Sequence, residues 1–184
     1  MPTEVDMKRC LFAILLVCFA IASSAEDYER HAERRAVKVF DANGRVIGDL
    51  TSFSGGNGVA FTAGHATTVV PLTRVQDASY HFSATDFQWL AVSSGVFGST
   101  DCSGDPIIES AWGPRISIPF RRGSEVTVYF APAGPEQSLV ARSGLGPDGS
   151  TCRQFDSPTM ERGYAPAARL VITRHHPEPL RIGF

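Results

Sequence analysis

Short β-forming segments separated by turn residues run from Arg35 to the end of this chain, and they limit its fold more than any other feature. Arg35–Phe40 is followed by an Asn43-Gly44 turn and then by a second such segment, Arg45–Leu50. An Asn-Gly pair in this position is a strong hairpin signal because both residues tolerate positive φ. Many short strands joined by Gly- and Pro-rich turns predict an all-β fold, either a sandwich or a small barrel.

Alternation of side chains is clearest at residues 115–130. Apolar residues alternate with others on both sides of a turn at Arg121–Ser124; they are Ile116, Ile118 and Phe120 before it and Val126, Val128 and Phe130 after it. A period of two predicts a hairpin in a sheet with one buried face.

Further strands are predicted at 59–62, 67–75, 80–82, 87–92, on either side of Cys102, and at 137–142, 151–155, 169–173 and 180–184. Pro71 lies inside the second of these, and we expect it to place that strand at a sheet edge or a bulge because proline has no N–H to donate. No segment shows the apolar period of a helix. Residues 35–184 are therefore predicted to form a single all-β domain.

The N-terminus has the pattern of a signal peptide. Lys8-Arg9 precedes the apolar stretch Cys10–Ala22, and small residues at Ser23–Ala25 come before a polar segment. We expect residues 1–25 to be removed, with Ala22 as the second cleavage position and with either Met1 or Met7 as the start. Residues 26–34 would be a flexible lead-in. The apolar stretch is shorter than the ~20 residues of a membrane-spanning helix, so no transmembrane helix is expected in the mature chain.

Cysteine usage agrees with export to an oxidising compartment, either periplasmic or extracellular. Cys10 and Cys18 would leave with the signal peptide, which leaves Cys102 and Cys152. An even number of cysteines in an exported chain predicts one disulfide between them. The net charge of −2 produces no strong positive field, so no nucleic-acid partner is predicted.

One pair of residues could carry catalysis. Phe61–Ala66 resembles the segment that holds the catalytic histidine in chymotrypsin-like proteases, and Asp101–Pro106 resembles their nucleophile segment. In a secreted serine hydrolase, His65 would be the base and Ser103 the nucleophile. An orienting carboxylate would come from Asp77 or Asp86.

Two features oppose this hydrolase hypothesis. His65 and Ser103 lie close together in the sequence, whereas the protease fold places base and nucleophile in different barrels. Asp105 also stands where the nucleophile segment has its second glycine. A carboxylate there would oppose the negative charge that develops in the oxyanion hole.

Three other kinds of function were weighed. His65, His81, His175 and His176 lack the spacing of a ready-made metal site, so neither a metal nor a cofactor is predicted. An aromatic surface beside Arg121-Arg122 could bind a protein or glycan; its residues would be Tyr80, Trp89, Trp112, Tyr129 and Tyr164. The terminal Leu180, Ile182 and Phe184 are typical of a small outer-membrane β-barrel, although most of the predicted strands are shorter than a membrane-spanning strand.

Three segments resemble those of a known group. Val37–Gly48 resembles a V-K-D-x-N-G-x-x-V-G hairpin that Phe40 interrupts, Phe97–Pro106 resembles an F-x-S-x-D-C-S-G-x-P segment, and Glu125–Pro132 resembles a V-Y-Y-P strand. In this order they are similar to motifs of small, uncharacterised, exported proteins of Gram-negative bacteria. The resemblance implies export, a disulfide that includes Cys152, and an all-β fold, and it implies no catalytic residue. A non-enzymatic structural or interaction domain is therefore the predicted function.

Overall fold

Thirteen β-strands and one short helix make up the part of the chain that a computed structural model describes, residues 36–109 and 112–184. The strands are β1 (Lys38–Phe40), β2 (Val46–Asp49), β3 (Thr51–Phe53), β4 (Gly56–Ala63), β5 (Ala66–Gln76), β6 (Phe82–Trp89), β7 (Gly95–Phe97), β8 (Ser117–Arg122), β9 (Glu125–Phe130), β10 (Gln137–Leu145), β11 (Cys152–Gly163), β12 (Ala168–Val171) and β13 (Arg181–Gly183), and the helix is α1 (Ile172–His175). The predicted all-β class is confirmed. The predicted signal peptide and lead-in lie outside the described residues.

Seven of these strands belong to two antiparallel sheets that are linked by hydrogen bonds. The antiparallel sheets β13-β1-β2 and β3-β4-β5-β6 are joined where Phe87 N donates to Leu180 O at 2.8 Å and Leu180 N donates to Phe87 O at 2.7 Å. Leu50 alone separates β2 from β3. The seven strands therefore run in the order β2-β1-β13-β6-β5-β4-β3, and they contribute Val39, Val59, Val70 and Trp89 to the first hydrophobic core, together with Leu180.

Pro71 lies within β5, where the strand changes its neighbour. Residues 66–71 pair with β4, and residues beyond Pro71 pair with β6. The Pro71 carbonyl accepts a hydrogen bond from Leu90 N at 2.9 Å. Proline has no N–H to donate back to the Leu90 carbonyl, so the ladder stops before Leu90 and β6 ends at Trp89. The predicted edge or bulge at Pro71 is wrong. Gly58, which pairs with Pro71, allows β4 and β5 to approach closely at this point, because a Cβ there would collide with the Val70 carbonyl oxygen.

The antiparallel sheet β8-β9-β12 is buried on both faces, so the prediction of one buried face is wrong. Its register pairs Ile118 with Tyr129 and Ser117 with Phe130. Directly paired residues share a face, so Ile118 and Phe120 point to one side while Val126, Val128 and Phe130 point to the other. We call this the central sheet. Val126, Val128 and Phe130 complete the first core, and Ile118, Phe120 and Tyr129 belong to a second core.

The second core is covered by the sheet β7-β10-β11 and by the predicted disulfide. Cys102 and Cys152 are bonded across a sequence separation of 50 residues, with their Cα atoms 5.9 Å apart, which confirms the prediction. Cys102 N donates to Ser143 Oγ at 2.9 Å, and that hydroxyl donates to Ser99 O at 2.8 Å. The turn at Cys102 is thereby attached to β11 by the disulfide and to β10 by hydrogen bonds. No helix among the described residues is long and apolar enough to cross a membrane.

Candidate functional site

The two residues of the hydrolase hypothesis lie in different connections of the fold. His65 is exposed in the turn between β4 and β5, beside Gly64, whose φ is +59°. Ser103 is exposed in the loop after β7, where its N–H donates to Asp101 Oδ1 at 3.1 Å and its carbonyl accepts from Ser99 Oγ at 2.9 Å. Within the described chain, no hydrogen bond joins His65 to Ser103.

The orienting acids have other partners. Asp77 caps its own turn by accepting hydrogen bonds from Ser79 N at 2.8 Å and His81 N at 2.9 Å, which lower the pKa of its carboxyl. Asp86 Oδ1 lies 3.8 Å from Arg181 Nε. Neither carboxylate contacts His65 through a hydrogen bond within the described residues, so the hydrolase hypothesis stays a prediction without a supporting contact.

The histidines considered as metal ligands are spread over three places. His65 and His81 occupy different hairpin turns, and His175 and His176 lie at the end of α1. Residues 36–109 and 112–184 contain no group of three or more histidine, cysteine, aspartate or glutamate side chains that could hold a metal ion. His176 instead faces Asp41, with 3.8 Å between Nδ1 and Oδ2, and burial lowers the pKa of its imidazole.

The predicted aromatic surface does not form. Trp89 is 1% exposed and Tyr129 is 6% exposed, because both belong to hydrophobic cores. Trp112 and Tyr164 are half-buried, and Tyr80, at 80%, is the exposed member of the set. The prediction failed for Tyr129 because it assumed that one face of β9 meets solvent.

A cleft of about 840 Å³ is a second candidate site, and the sequence predicted none of its polar residues as ligands. It opens where β4 and β5 separate beyond the Gly58–Pro71 pair, with β6 and β13 on its other side. Its lining residues are Asn57, Arg74, Ala84, Thr85, Phe87, Arg181 and Ile182. A cleft of this volume falls in the range of small-molecule sites. We call it the arginine cleft.

Arg74 is held in one orientation by contacts on two sides. Its guanidinium carbon lies 4.8 Å from the centre of the Phe87 ring, a cation–π contact. Its Nη1 donates to the carbonyls of Ser83 at 2.9 Å and Ala84 at 2.7 Å. Nε and Nη2 make no hydrogen bond to any described residue. The side chain therefore keeps donors available to a ligand while its flexibility is already restricted.

Arg181 reaches the cleft because the chain before β13 is anchored. Glu178 accepts two hydrogen bonds from Arg121, at 2.8 and 2.9 Å, and one from Trp89 N at 2.7 Å. Two residues later, Leu180 bonds to Phe87 in both directions. These bonds place the Arg181 backbone beside β6 and near Arg74. The Arg181 side chain is 71% exposed, and its Nε lies 3.8 Å from Asp86 Oδ1. We call the Arg121–Glu178 pair the C-terminal clamp.

The arginine cleft offers donors and positive charge. Two guanidinium groups, the Asn57 amide and the Thr85 hydroxyl line it, and the lining residues described include no carboxylate. Such a set binds anions, and arginine in particular recognises carboxylate and phosphate oxygens. A signal was present in the sequence, since Arg74 interrupts a β-branched strand, but the convergence with Arg181 depends on pairing between distant segments. Searches against protein-family models, curated proteins and solved structures found no match to this chain.

Proposed function

We propose that this chain is an exported, non-enzymatic interaction domain whose arginine cleft binds an acidic glycan at the cell surface. The observation that carries the proposal is the orientation of Arg74, held against Phe87 and two carbonyls with Nε and Nη2 left for a ligand. Arg181 supplies a second guanidinium to the cleft, with its Nε 3.8 Å from Asp86 Oδ1. Arginine guanidiniums recognise carboxylate groups, here those carried along a sugar chain, and Arg74 is already oriented for this.

The disulfide and the signal-like N-terminus support the location part of the proposal. A Cys102–Cys152 bond persists in oxidising compartments and is rare in the cytosol. The segment 1–25 has the composition of an export signal. The resemblance to small exported proteins of Gram-negative bacteria points in the same direction. Periplasm and extracellular space are both compatible with these features.

The glycan part of the proposal rests on the form of the cleft. It is open on one side, so a chain longer than the cleft can lie across it. Its donors are exposed, which favours a ligand that keeps much of its own hydration. Because the surface charges are screened by salt, binding by this site weakens as ionic strength rises.

A titration with oligogalacturonate tests the proposal. The mature chain is titrated by calorimetry at low salt with the oligomer and, as the uncharged control, with its methyl ester. We expect the acid to bind and the ester not to bind. Arg74→Gln and Arg181→Gln should each weaken binding about tenfold, because each removes charge-assisted hydrogen bonds.

Arg153→Gln is the matched control variant. Arg153 is exposed on β11, outside the arginine cleft, and its loss changes the net charge by the same amount. We expect this variant to bind oligogalacturonate as the wild type does. Equal affinity for acid and ester, or equal weakening by all three variants, would overturn the proposal, because binding would then depend on sugar contacts or on net charge.

A further inference from the structure

A second, smaller pocket lies on the other side of the molecule, above the central sheet. Its volume is about 220 Å³, and its lining residues are Gly104, Phe120, Arg122, Glu125, Thr127, Tyr129 and Arg169. The register of the sheet explains why these side chains meet. Phe120 pairs with Thr127, Arg122 with Glu125, and Arg169 with Tyr129, so all six lie on one face. Gly104, in the turn after Cys102, closes the pocket from outside.

Tyr129 is a buried residue whose hydroxyl has no hydrogen-bond partner among the described residues. The residue is 6% exposed, and no described residue hydrogen-bonds to its oxygen. Among the described residues, the fully buried side-chain N and O atoms without a hydrogen-bond partner are Asp41 Oδ2 and His176 Nδ1. The Tyr129 oxygen also lacks a partner but is not fully buried, so it is accessible from the pocket that the residue lines. Burial raises the pKa of this hydroxyl, which therefore stays protonated and able to donate.

Arg122 is fixed at the side of the pocket much as Arg74 is in the arginine cleft. Its guanidinium carbon lies 5.1 Å from the Phe97 ring centre and 5.7 Å from that of Phe120. Its Nη2 donates to Cys102 O at 2.9 Å and to Gly104 O at 3.2 Å. Nε and Nη1 have no hydrogen-bond partner in the described chain, and no described carboxylate lies within ion-pair distance of the group.

The charges around the pocket leave a single positive excess. Arg169 Nη1 contacts Asp105 Oδ1 at 3.0 Å, and Glu125 is paired with Arg174 at 3.1 Å. Both of these carboxylates are neutralised by arginines, and Arg122 is not neutralised. A group with one negative charge would balance this excess, whereas a dianion would leave the site with a net negative charge.

From this geometry we infer that the pocket binds a carboxylate group of a small ligand or a ligand terminus. Arg122 would donate through Nε and Nη1, and the Tyr129 hydroxyl would donate from the floor. Arg169, which is paired with Asp105 through Nη1, would add hydrogen-bond donors from the rim. Arginine presents parallel donors that match the two oxygens of a carboxylate, and the pocket volume admits such a group with a short side chain. This site is separate from the arginine cleft and does not depend on the glycan proposal.

An NMR titration of the mature chain with sodium acetate tests the inference. Amide shifts are followed at constant ionic strength, with sodium chloride as the reference salt and sodium phosphate as the dianionic competitor. We expect saturable shifts around Gly104 and Tyr129 with acetate, weaker binding of phosphate, and no saturation with chloride. Shifts that chloride reproduces would mean an adventitious ion only, and tighter binding of phosphate would overturn the carboxylate assignment.

Two variants separate this site from other causes. Tyr129→Phe removes the hydroxyl alone, and we expect about fivefold to tenfold weaker acetate binding. Arg169→Gln changes an exposed rim residue that does not threaten the fold, and we expect about threefold weaker binding. Arg153→Gln, an exposed β11 residue outside both the pocket and the arginine cleft, should leave acetate binding unchanged. Wild-type affinity in both Tyr129→Phe and Arg169→Gln would refute the site.

Discussion

The C-terminal clamp gives the sharpest test of how the fold positions Arg181. Glu178 accepts from Arg121 through both carboxylate oxygens and from Trp89 N, and Arg121 Nη2 also donates to Trp89 O at 3.1 Å. We expect Glu178→Gln to destabilise the protein, because the amide keeps an acceptor for Trp89 N but removes the charge that balances Arg121. Arg121→Met removes the other charge and preserves most of the side-chain volume.

The magnitude follows from burial. Breaking a fully buried ion pair costs about 3–5 kcal/mol, and charge-assisted hydrogen bonds contribute about 1.5–3 kcal/mol each. The clamp side chains are 23% and 20% exposed, which places the cost of Glu178→Gln at about 2–3 kcal/mol. For a chain of this size that corresponds to a fall in Tm of roughly 5–10 °C. The coupling energy between the two positions should be about 2 kcal/mol.

Urea unfolding of the wild type, both single variants and the double variant measures that coupling. The Arg174–Glu125 pair is the matched control, since its atoms are 3.1 Å apart but its side chains are 69% and 42% exposed. An exposed pair of this kind couples by about 0.5 kcal/mol. If the clamp couples no more strongly than this control pair, burial does not decide its contribution and the reasoning is refuted.

Two further predictions concern the disulfide and the buried histidine. Cys102→Ala/Cys152→Ala should lower the free energy of unfolding by about 4 kcal/mol, because the bond closes a 50-residue separation; a loss below about 1 kcal/mol in urea unfolding would contradict this. His176 has a lowered pKa in the fold, so below the ordinary imidazole pKa of 6.5 the unfolded chain takes up a proton that the folded chain excludes, and stability falls as pH decreases. The stability difference between wild type and His176→Gln should shrink or reverse as pH falls below that value, and a pH-independent difference would refute the argument.

Local features of the fold were accessible from the sequence because they depend on neighbours in the chain. The hairpin at Asn43-Gly44 forms, with β1 paired to β2. Its detail differs, since only Gly44 of the pair has positive φ and Asp41 closes the turn by accepting hydrogen bonds from Asn43 N and Arg45 N. The turn at Gly123 is also found, because Arg122 pairs with Glu125 across it. Turn chemistry acts over a few residues, so it can be recognised without tertiary information.

The candidate sites were not accessible in this way. Arg74 and Arg181 meet because β13, the last strand, bonds to β1 and the residue before it bonds to β6. Arg169 reaches Tyr129 through the pairing of β12 with β9. Neither of these residue pairs has a spacing in the sequence that a motif could detect. The hydrolase hypothesis illustrates the opposite case, in which a motif suggests a site. Its segments resemble those of proteases, yet no hydrogen bond joins His65 to Ser103 within the described chain.

The sequence by itself determined the all-β class, the pairing of Cys102 with Cys152 and most strand-forming segments, because alternation, turn residues and cysteine number act locally or leave one choice. The predicted strands 80–82 and 87–92 are instead one strand, β6, and the described residues form no strand between Cys102 and β8. The tertiary structure decided which faces are buried. Alternation with a period of two indicates that every second side chain lies on the same face of a strand. It does not indicate what covers the opposite face. The central sheet has a core on each side, so Tyr129 became the floor of a pocket, and strands distant in sequence brought arginines together at two separate sites.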